Sequence, residues 1–121
     1  NICLQICYDL RFPVFVRNVE NYDLLLYVAN WPKPRINAWD ALLKARAIEN
    51  MCYTIGVNRI GEDDNKLEYP GHSKAIDYLG NPILDCEDEL GIFIFELDKI
   101  AQNDARIKFN FLNDRDDFNI R

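Results

Sequence analysis

The chain has 121 residues, of which 49% are hydrophobic, and it carries a formal net charge of −6. This length and composition fit one globular domain with an apolar core, and the acidic excess argues against binding nucleic acid or an anionic membrane, because both need clustered Lys and Arg. No apolar run approaches the roughly 20 residues that cross a bilayer, and no basic and apolar leader opens the sequence, so we predict a cytoplasmic protein.

The opening segment places a cysteine at the abrupt end of an apolar run. Residues 1–6 alternate and predict a buried strand, whereas Asp9 and Pro13 are residue types that open a helix. Cys7 therefore falls at a predicted strand-to-helix turn, where a thiol is displayed toward a cleft and the N–H groups of the next turn point at whatever the sulfur attacks. This placement predicts that Cys7 is a nucleophile.

The next elements predict the wall of a pocket. Residues 12–21 have apolar residues at helical spacing and predict a short helix, and residues 24–29 form a continuous apolar run typical of a strand covered on both faces. Pro32 and Pro34 then predict an extended loop over residues 30–35. Because open sheets with covering helices bind ligands beyond the carboxyl ends of their strands, we predict that this loop lines a pocket.

The remainder of the sequence predicts a second helix, further strands and an irregular tail. Asn37 is a good N-cap for a helix. The predicted elements are a helix over residues 38–50, a strand over 51–57, a polar rim loop over 59–70, a hairpin of 71–77 and 83–86, a strand over 91–97, a helix over 98–103 and a charged tail over 104–121. This order predicts an α+β fold, with a mixed sheet and helices on one face.

The four cysteines stand at positions 3, 7, 52 and 86. Without a secretory context we expect reduced thiols, and their spacing, with a single histidine in the chain, fits no common zinc site. Cys3, Cys52 and Cys86 lie in apolar segments and are interpreted as small buried hydrophobic residues. The acidic residues lack the alternating oxygen ligands of a calcium loop, so we expect no metal ion.

Five ordered blocks of the sequence resemble one known family. They are CYDLRFP, YDLLLYVANWPKPR, AWDALLKARAIENMCY, GHSKAIDYLGNPI and FNFLNDRDDF. Together they resemble the carbon-nitrogen hydrolase (nitrilase) superfamily, and most closely its omega-amidase-like branch. The resemblance implies a four-layer alpha-beta-beta-alpha sandwich in which residues 1–121 are the C-terminal part of the domain, because the cysteine motif of the family lies near the middle of the polypeptide. A chain that starts at Asn1 rather than methionine agrees with this expectation.

The same resemblance implies an amidase that uses a cysteine. Cys7 would attack a small linear amide, such as a dicarboxylic acid monoamide, and form a thioester that water hydrolyses. The backbone N–H of Tyr8 would bind the oxyanion, and no cofactor is implied. Family members also use a glutamate base and a lysine upstream of the cysteine, which would fall before Asn1. We therefore expect this chain by itself to be inactive or nearly so.

Two further residues are candidates for substrate binding. Trp31 would line the pocket, although a Trp in a proline-bounded loop is about as often a hydrophobic plug. Arg35 would clamp a substrate carboxylate with its planar guanidinium group, yet an Arg at a helix entrance is more often solvated or paired with an acid. For Trp31, the family resemblance favours the pocket.

Other polar residues favour structural roles. Asp9 and Arg11 are predicted to pair and to fix the turn around Cys7, and Glu49 is predicted to hold a neighbouring arginine or backbone amides. Adjacent residues on a strand point to opposite faces, so His72 and the serine that follows it are not expected to form the catalytic pair of a serine hydrolase.

The sequence leaves three functions open. The first is omega-amidase-like hydrolysis, and the second is hydrolysis of a nitrile or a carbamoyl amide within the same superfamily. The third is a non-catalytic interaction or redox-thiol domain that keeps the scaffold. If the chain is half of a sandwich, the inner face of its sheet has no cover, and we expect self-association into a homo-oligomer.

Overall fold

A mixed five-stranded sheet forms the centre of the fold. The computed structural model describes residues 1–118. Its strands are β1 (Ile2–Ile6), β2 (Leu24–Ala29), β3 (Tyr53–Asn58), β4 (Ile60–Glu62), β5 (Glu68–Pro70), β6 (Lys74–Ile76) and β7 (Pro82–Asp85), and its α-helices are α1 (Ile36–Asn50) and α2 (Lys99–Phe109). The sheet order is β1-β2-β3-β6-β7, in which β1, β2 and β3 are parallel and β6 and β7 are antiparallel to their neighbours. The predicted α+β class and mixed sheet are confirmed.

Helix α1 covers one face of the sheet. Its side chains Trp39, Leu43 and Ala47 recur every four residues on one side of the helix and are fully buried. They pack over β3 at Gly56, where an added Cβ would lie 2.5 Å from Leu43 and 2.6 Å from Trp39. The missing side chain at this glycine therefore sets how closely α1 approaches the sheet.

The opposite face of the sheet is apolar and exposed. On β1, the side chains of Ile2, Leu4 and Ile6 are 63%, 69% and 67% exposed. Val28 of β2 and Val57 of β3 lie on neighbouring strands and are about half exposed. The prediction that β2 is covered on both faces is wrong for residues 1–118, because only the face toward α1 has a covering element.

The segment after β1 contains short 3-10 turns instead of the helix predicted over residues 12–21. The turns are Cys7–Arg11 and Pro13–Val16. Beyond them, the Asn18 side chain accepts a hydrogen bond from the Tyr22 N–H at 2.9 Å and donates one to the Tyr22 carbonyl at 3.0 Å. The prediction is wrong because a side chain supplies hydrogen bonds that a helix would make with its own backbone.

Residues 91–97 form no regular secondary structure and pair with no strand among the described residues. Leu90, Ile92 and Ile94 are 90%, 95% and 93% exposed, so this segment has no neighbour on the side of these residues. A strand needs a partner for its backbone N–H and C=O groups. The strand predicted over 91–97 is therefore wrong for the described residues, although exposed and half-buried side chains alternate over residues 92–96 as they would in a strand.

Helix α2 docks at the amino edge of the parallel strands and is longer than predicted. Asp98 caps it as predicted, by accepting a hydrogen bond from the Ala101 N–H at 2.9 Å. Gln102 Nε2 and Arg106 Nε donate to the Met51 carbonyl at 3.2 Å and 2.9 Å. These contacts carry the helix beyond residue 103 into the segment that was predicted as an irregular tail, and a 3-10 turn spans Phe111–Asp114.

Two other boundaries differ from the predictions. Helix α1 begins at Ile36 and has Arg35 at its N-cap position, because the 3-10 turn Lys33–Arg35 runs directly into it. Asn37 is therefore helical and not a cap. The polar loop predicted over residues 59–70 contains the antiparallel ribbon of β4 and β5. None of the described helices combines the length and apolarity that a bilayer span requires.

Candidate active site

Cys7 lies at a sharp backbone bend at the carboxyl end of β1. The strand ends at Ile6, and Cys7 begins a five-residue 3-10 turn with a φ angle of +42°. Residues other than glycine rarely adopt positive φ, and such strain is typical of turns that display a nucleophile. The predicted strand-to-helix turn at Cys7 is confirmed, with a 3-10 helix in place of an α-helix.

Two hydrogen bonds hold this turn near its two ends. The Ile6 N–H, at the residue before the turn, donates to Asp9 Oδ2 at 2.9 Å. Near the other end, Arg46 Nη2 of α1 donates to the Leu10 carbonyl at 2.6 Å. The first bond is local, whereas the second ties the turn to the helix that covers the sheet.

Arg11 faces the pocket loop instead of Asp9, so the predicted ion pair between them is wrong. Its guanidinium carbon lies 5.0 Å from the centre of the Trp31 ring, in a cation–π contact. Trp31 is 2% exposed, donates from Nε1 to the Arg35 carbonyl at 2.7 Å and packs on Trp39 with 5.6 Å between ring centres. Trp31 is therefore a buried plug, as one of the two sequence interpretations has it, and it also lines the depression beside Cys7.

Two depressions open beside Cys7 at the carboxyl edge of the parallel strands. The pocket-loop depression has a volume of about 360 Å³. Besides Cys7 it is lined by Tyr8, Arg11, Asn30, Trp31, Pro32 and Arg35. The second depression, of about 450 Å³, extends from Cys7 across the ends of β2 and β3 as far as Arg59. The prediction that the 30–35 loop forms a wall at this edge is confirmed.

The pocket-loop depression carries two guanidinium groups. Arg35 is exposed and Arg11 is half-buried, and both line the depression. Within residues 1–118, no carboxylate oxygen lies within 4.0 Å of either guanidinium group. The positive charge of this depression is therefore not neutralised by the part of the chain that the structure describes.

Sequence reasoning missed Asn58, which holds the pocket loop in place. This residue ends β3 and is 5% exposed. Its Oδ1 accepts from the Trp31 N–H at 2.6 Å, and its Nδ2 donates to the carbonyls of Trp31 and Gly71 at 3.0 Å and 2.7 Å. A buried amide needs such partners, so a lone Asn at the carboxyl end of an apolar strand is the sequence feature that points to it.

Tyr8 follows Cys7 in the 3-10 turn, as the sequence places it. The first N–H groups of a helical turn have no acceptor inside that turn, so the Tyr8 N–H needs an acceptor from outside it. The Tyr8 side chain is 64% exposed and packs edge-on against Phe12, with 5.2 Å between the ring centres. On the other side, Cys7 Sγ lies 4.0 Å from the Asn30 carbonyl oxygen.

Three polar side chains named from the sequence have structural partners. Glu49 Oε1 accepts from Arg46 Nη1 at 2.9 Å, which confirms the structural role predicted for this carboxylate. His72 Nδ1 lies 3.1 Å from Asp40 Oδ2, whereas Ser73 Oγ accepts from a backbone N–H of β3 at 3.0 Å. The histidine and the serine face different partners, so they do not form the pair that a serine hydrolase needs.

The other cysteines have surroundings that differ from those of Cys7. Cys52 and Cys86 are buried, as predicted, and burial raises the pKa of both thiols, to about 12 for Cys52. Cys3 is half-buried, and Gln5 Nε2 lies 3.5 Å from its sulfur. In the part of the chain that the structure describes, no three His, Cys, Asp or Glu side chains come close enough together to hold a metal ion.

Comparison with known protein sequences gives a consistent set of relatives. The family model for carbon-nitrogen hydrolase matches residues 1–105. The chain is 47% identical over 116 residues to Omega-amidase YafV of Escherichia coli (strain K12), in a match that covers 95% of this chain and 45% of that protein. It is 40% identical over 105 residues to 2-oxoglutaramate amidase of Bacillus subtilis (strain 168), covering 85% of this chain and 39% of that protein. The chain thus spans less than half the length of these relatives.

Comparison with solved structures gives neighbours of the same kind. The structure of XC1258 from Xanthomonas campestris, a CN-hydrolase superfamily protein with an arsenic adduct in its active site, matches with a TM-score of 0.96 and 44% identity, over 99% of this chain and 48% of that one. A mutant amidase from Nesterenkonia sp. AN1 matches with a TM-score of 0.68 and 28% identity, over 74% of this chain and 35% of that one. That amidase shows covalent addition of the acetamide moiety of fluoroacetamide at its active site cysteine.

Proposed function

Because the chain belongs to the carbon-nitrogen hydrolase family, we propose that the intact protein hydrolyses a small linear amide with Cys7 as its nucleophile. The substrate we propose is a dicarboxylic acid monoamide, which gives a dicarboxylic acid and ammonia, and residues 1–121 form the C-terminal part of the catalytic domain. The observation that carries this proposal is the strained bend at Cys7, with a φ angle of +42°, at the mouth of two depressions.

The reaction we propose proceeds through a thioester. The Cys7 thiolate attacks the amide carbonyl carbon, a C–S bond forms, and the carbonyl electrons move onto oxygen. In this proposal the Tyr8 N–H stabilises that oxyanion. When the carbonyl re-forms, the C–N bond breaks and the nitrogen leaves as ammonia after it takes up a proton. Water then attacks the thioester and releases the carboxylic acid and the thiol.

Proton transfer in this reaction needs groups that residues 1–118 do not place beside Cys7. Neither depression is lined by a carboxylate, an imidazole or an amine from the described residues. A base must take the thiol proton, and an acid must protonate the leaving nitrogen. We therefore propose that these groups come from the rest of the intact protein and that this chain alone has little or no amidase activity.

Substrate recognition is proposed to involve the guanidinium groups of the pocket-loop depression. 2-Oxoglutaramate, the substrate named for the Bacillus subtilis relative, carries a carboxylate at the end opposite its amide. Arg35 is exposed at the rim of the depression. Trp31 Nε1 donates a hydrogen bond to the Arg35 carbonyl at 2.7 Å, so Trp31 supports the backbone of Arg35. A planar guanidinium binds a carboxylate through two hydrogen bonds. We assign Arg35 and Trp31 to substrate binding on these grounds.

Self-association is the remaining part of the proposal. The sheet face that bears Ile2, Leu4 and Ile6 is exposed in residues 1–118, and large apolar patches of this kind associate in water. The 121-residue chain alone is expected to sediment as a dimer or larger particle. We propose that the intact protein is also a homo-oligomer.

The proposed activity is tested by ammonia release from the intact protein. Cys7→Ser is expected to lower kcat by at least about 1,000-fold without unfolding the protein, because the nucleophile is lost. Cys3→Ser is the matched control, since Cys3 lies on β1, the strand that leads to Cys7, but outside both depressions, and it is expected to keep the wild-type rate. A folded Cys7→Ser variant with the wild-type rate would refute the proposal.

The substrate class is tested with a panel of compounds. A monoamide that carries a carboxylate is expected to be hydrolysed faster than the matching nitrile, carbamoyl compound or neutral amide. Arg35→Met is expected to raise KM about 10-fold to 100-fold for the carboxylate substrate and to leave the neutral amide unaffected. Equal effects on both substrates would contradict the role of Arg35.

A further inference from the structure

We propose that Arg46 of α1 is a positioning residue for the reaction, because it fixes the Leu10 carbonyl and, through it, the turn that displays Cys7. This inference rests on the proposed role of Cys7 as the nucleophile. Arg46 Nη2 donates to the Leu10 oxygen at 2.6 Å, one residue before the end of the Cys7–Arg11 turn. Arg46 lines neither depression, so it would act on the reaction through the turn and not by touching the substrate.

The Cys7 turn is a conformation that its surroundings must maintain. Its first residue has a φ angle of +42°, and 3-10 turns have poorer hydrogen-bond geometry than α-helices. A strained conformation of this kind persists only where other contacts over-determine it. Asp9 provides one such contact to the Ile6 N–H, but that contact lies within three residues. Arg46 provides a contact from a different element, 36 residues away in sequence.

Arg46 is itself held in one orientation. Its side chain is 3% exposed, and its Nη1 donates to Glu49 Oε1 at 2.9 Å. The pairing with a carboxylate compensates the buried positive charge, and the planar guanidinium fixes Nη2 toward Leu10 while Nη1 stays on Glu49. On the outer side, Arg17 Nη1 donates to the Glu49 carbonyl at 2.6 Å, which ties the segment after the turn to the same helix end.

Asn50 extends this attachment from the turn to the irregular segment that follows it. It lies four residues after Arg46, on the same side of α1, and its Nδ2 donates to the Arg46 carbonyl at 3.0 Å. Its Oδ1 accepts from the Asn18 N–H at 2.9 Å, and its carbonyl accepts from Asn18 Nδ2 at 3.0 Å. Both asparagines are fully buried. Residues 7–18 are therefore attached to α1 at three residues, Leu10, Arg17 and Asn18.

The consequence for the reaction follows from the geometry of attack. The sulfur must lie close to the carbonyl carbon with the oxyanion donor aligned, and Cys7 and Tyr8 share the turn that Arg46 holds. A displacement of about 1 Å in such an arrangement lowers the rate about 100-fold. Loss of the bond to Leu10 is therefore expected to lower kcat while substrate binding in the pocket loop is largely kept.

The test uses the intact protein and three variants. Arg46→Met removes the guanidinium with a side chain of similar length. Arg46→Lys keeps the positive charge, so it is expected to fold even if the methionine variant does not. Its single ammonium group replaces the planar guanidinium that donates to the Leu10 carbonyl and to Glu49 at the same time. Arg17→Met is the matched control, because it removes a guanidinium from the same helix end without touching the turn. The measurements are kcat, KM, thermal midpoint and the rate at which iodoacetamide alkylates Cys7 in folded protein.

The expected result is a loss of about 100-fold in kcat for Arg46→Met, a smaller loss for Arg46→Lys and little change in KM for either. In the Arg46 variants, the alkylation rate of Cys7 per folded molecule is expected to change as well. Arg17→Met is expected to leave both kcat and the alkylation rate at the wild-type value. If Arg46 is only a stabilising residue, folded Arg46 variants will show the wild-type kcat and alkylation rate, and the inference is overturned. If Cys7→Ser keeps its activity, the proposed function fails, and the alkylation rate still reports whether Arg46 sets the turn.

Discussion

Replacing Asn58 with leucine is expected to destabilise the protein strongly, because this one side chain joins three elements at the carboxyl edge of the sheet. Its amide makes three hydrogen bonds, at 2.6 Å, 3.0 Å and 2.7 Å, with the backbone of Trp31 and Gly71. In Asn58→Leu, the Trp31 N–H and the carbonyls of Trp31 and Gly71 lose their partner. A side chain of similar volume fills the space, so lost hydrogen bonding and not a cavity dominates the effect.

The magnitude follows from the number of groups left unpaired. Each buried polar group without a partner costs about 1–3 kcal/mol. The three groups lie beside a depression that water enters, so the lower end applies and the sum is about 3 kcal/mol, or roughly a 100-fold shift in the folding equilibrium. The Trp31 loop is also expected to move, which raises KM for the proposed substrate.

The assay is urea-induced unfolding of the intact protein, followed by far-UV circular dichroism. Asn65→Leu is the matched control, because Asn65 is exposed and its side chain makes no hydrogen bond within residues 1–118. The control is expected to stay within about 0.5 kcal/mol of the wild type. The reasoning is refuted if Asn58→Leu is as stable as the control.

Three further predictions concern packing, thiol reactivity and pH. Gly56→Ala is expected to lower the free energy of unfolding by about 1–3 kcal/mol in the same urea assay, because the new methyl group would lie 2.5 Å from Leu43; an unchanged midpoint would contradict this. Burial raises the pKa of the Cys52 thiol to about 12. Iodoacetamide at neutral pH is therefore expected to alkylate Cys7 and to leave Cys52 unmodified, which peptide mass spectrometry measures. Modification of Cys52 in folded protein would count against this prediction. Burial raises the pKa of Asp23, but the hydrogen bond from Lys99 and the nearby positive charges outweigh this and hold the pKa below its ordinary value, so the stabilisation is present above about pH 4 and is lost as pH falls through the folded-state pKa. Asp23→Asn is expected to flatten the acid limb of stability against pH, and an unaltered acid limb would contradict the assignment.

The turn at Cys7 could be predicted from the sequence because its determinants are local. An apolar strand pattern ends at Ile6, and the residue types that follow open a helical turn, so neither observation depends on distant contacts. The α+β class was predictable for the same reason, since apolar runs and helical periodicity alternate along the chain. The pocket loop was predictable because Pro32 and Pro34 restrict the backbone wherever they occur.

The missed features depend on residues that are distant in sequence. Asn58 forms hydrogen bonds with residues 27 and 13 positions away, and no residue near Asn58 in the sequence indicates which partners it has. Residues 91–97 have the alternating pattern of a strand, but the pattern does not provide a partner for their backbone. The helix predicted over 12–21 has suitable apolar spacing, yet Asn18 and its bonds to Tyr22 and Asn50 favour an irregular path.

Detection of the acyl-enzyme in the intact protein tests the central claim most directly. The protein is mixed with a slowly hydrolysed carboxylate-bearing amide, quenched with acid during turnover and digested for peptide mass spectrometry. The account predicts that the peptide containing Cys7 gains the mass of the acyl group, and that Cys7→Ser forms no thioester. An acyl group found on another residue would contradict it.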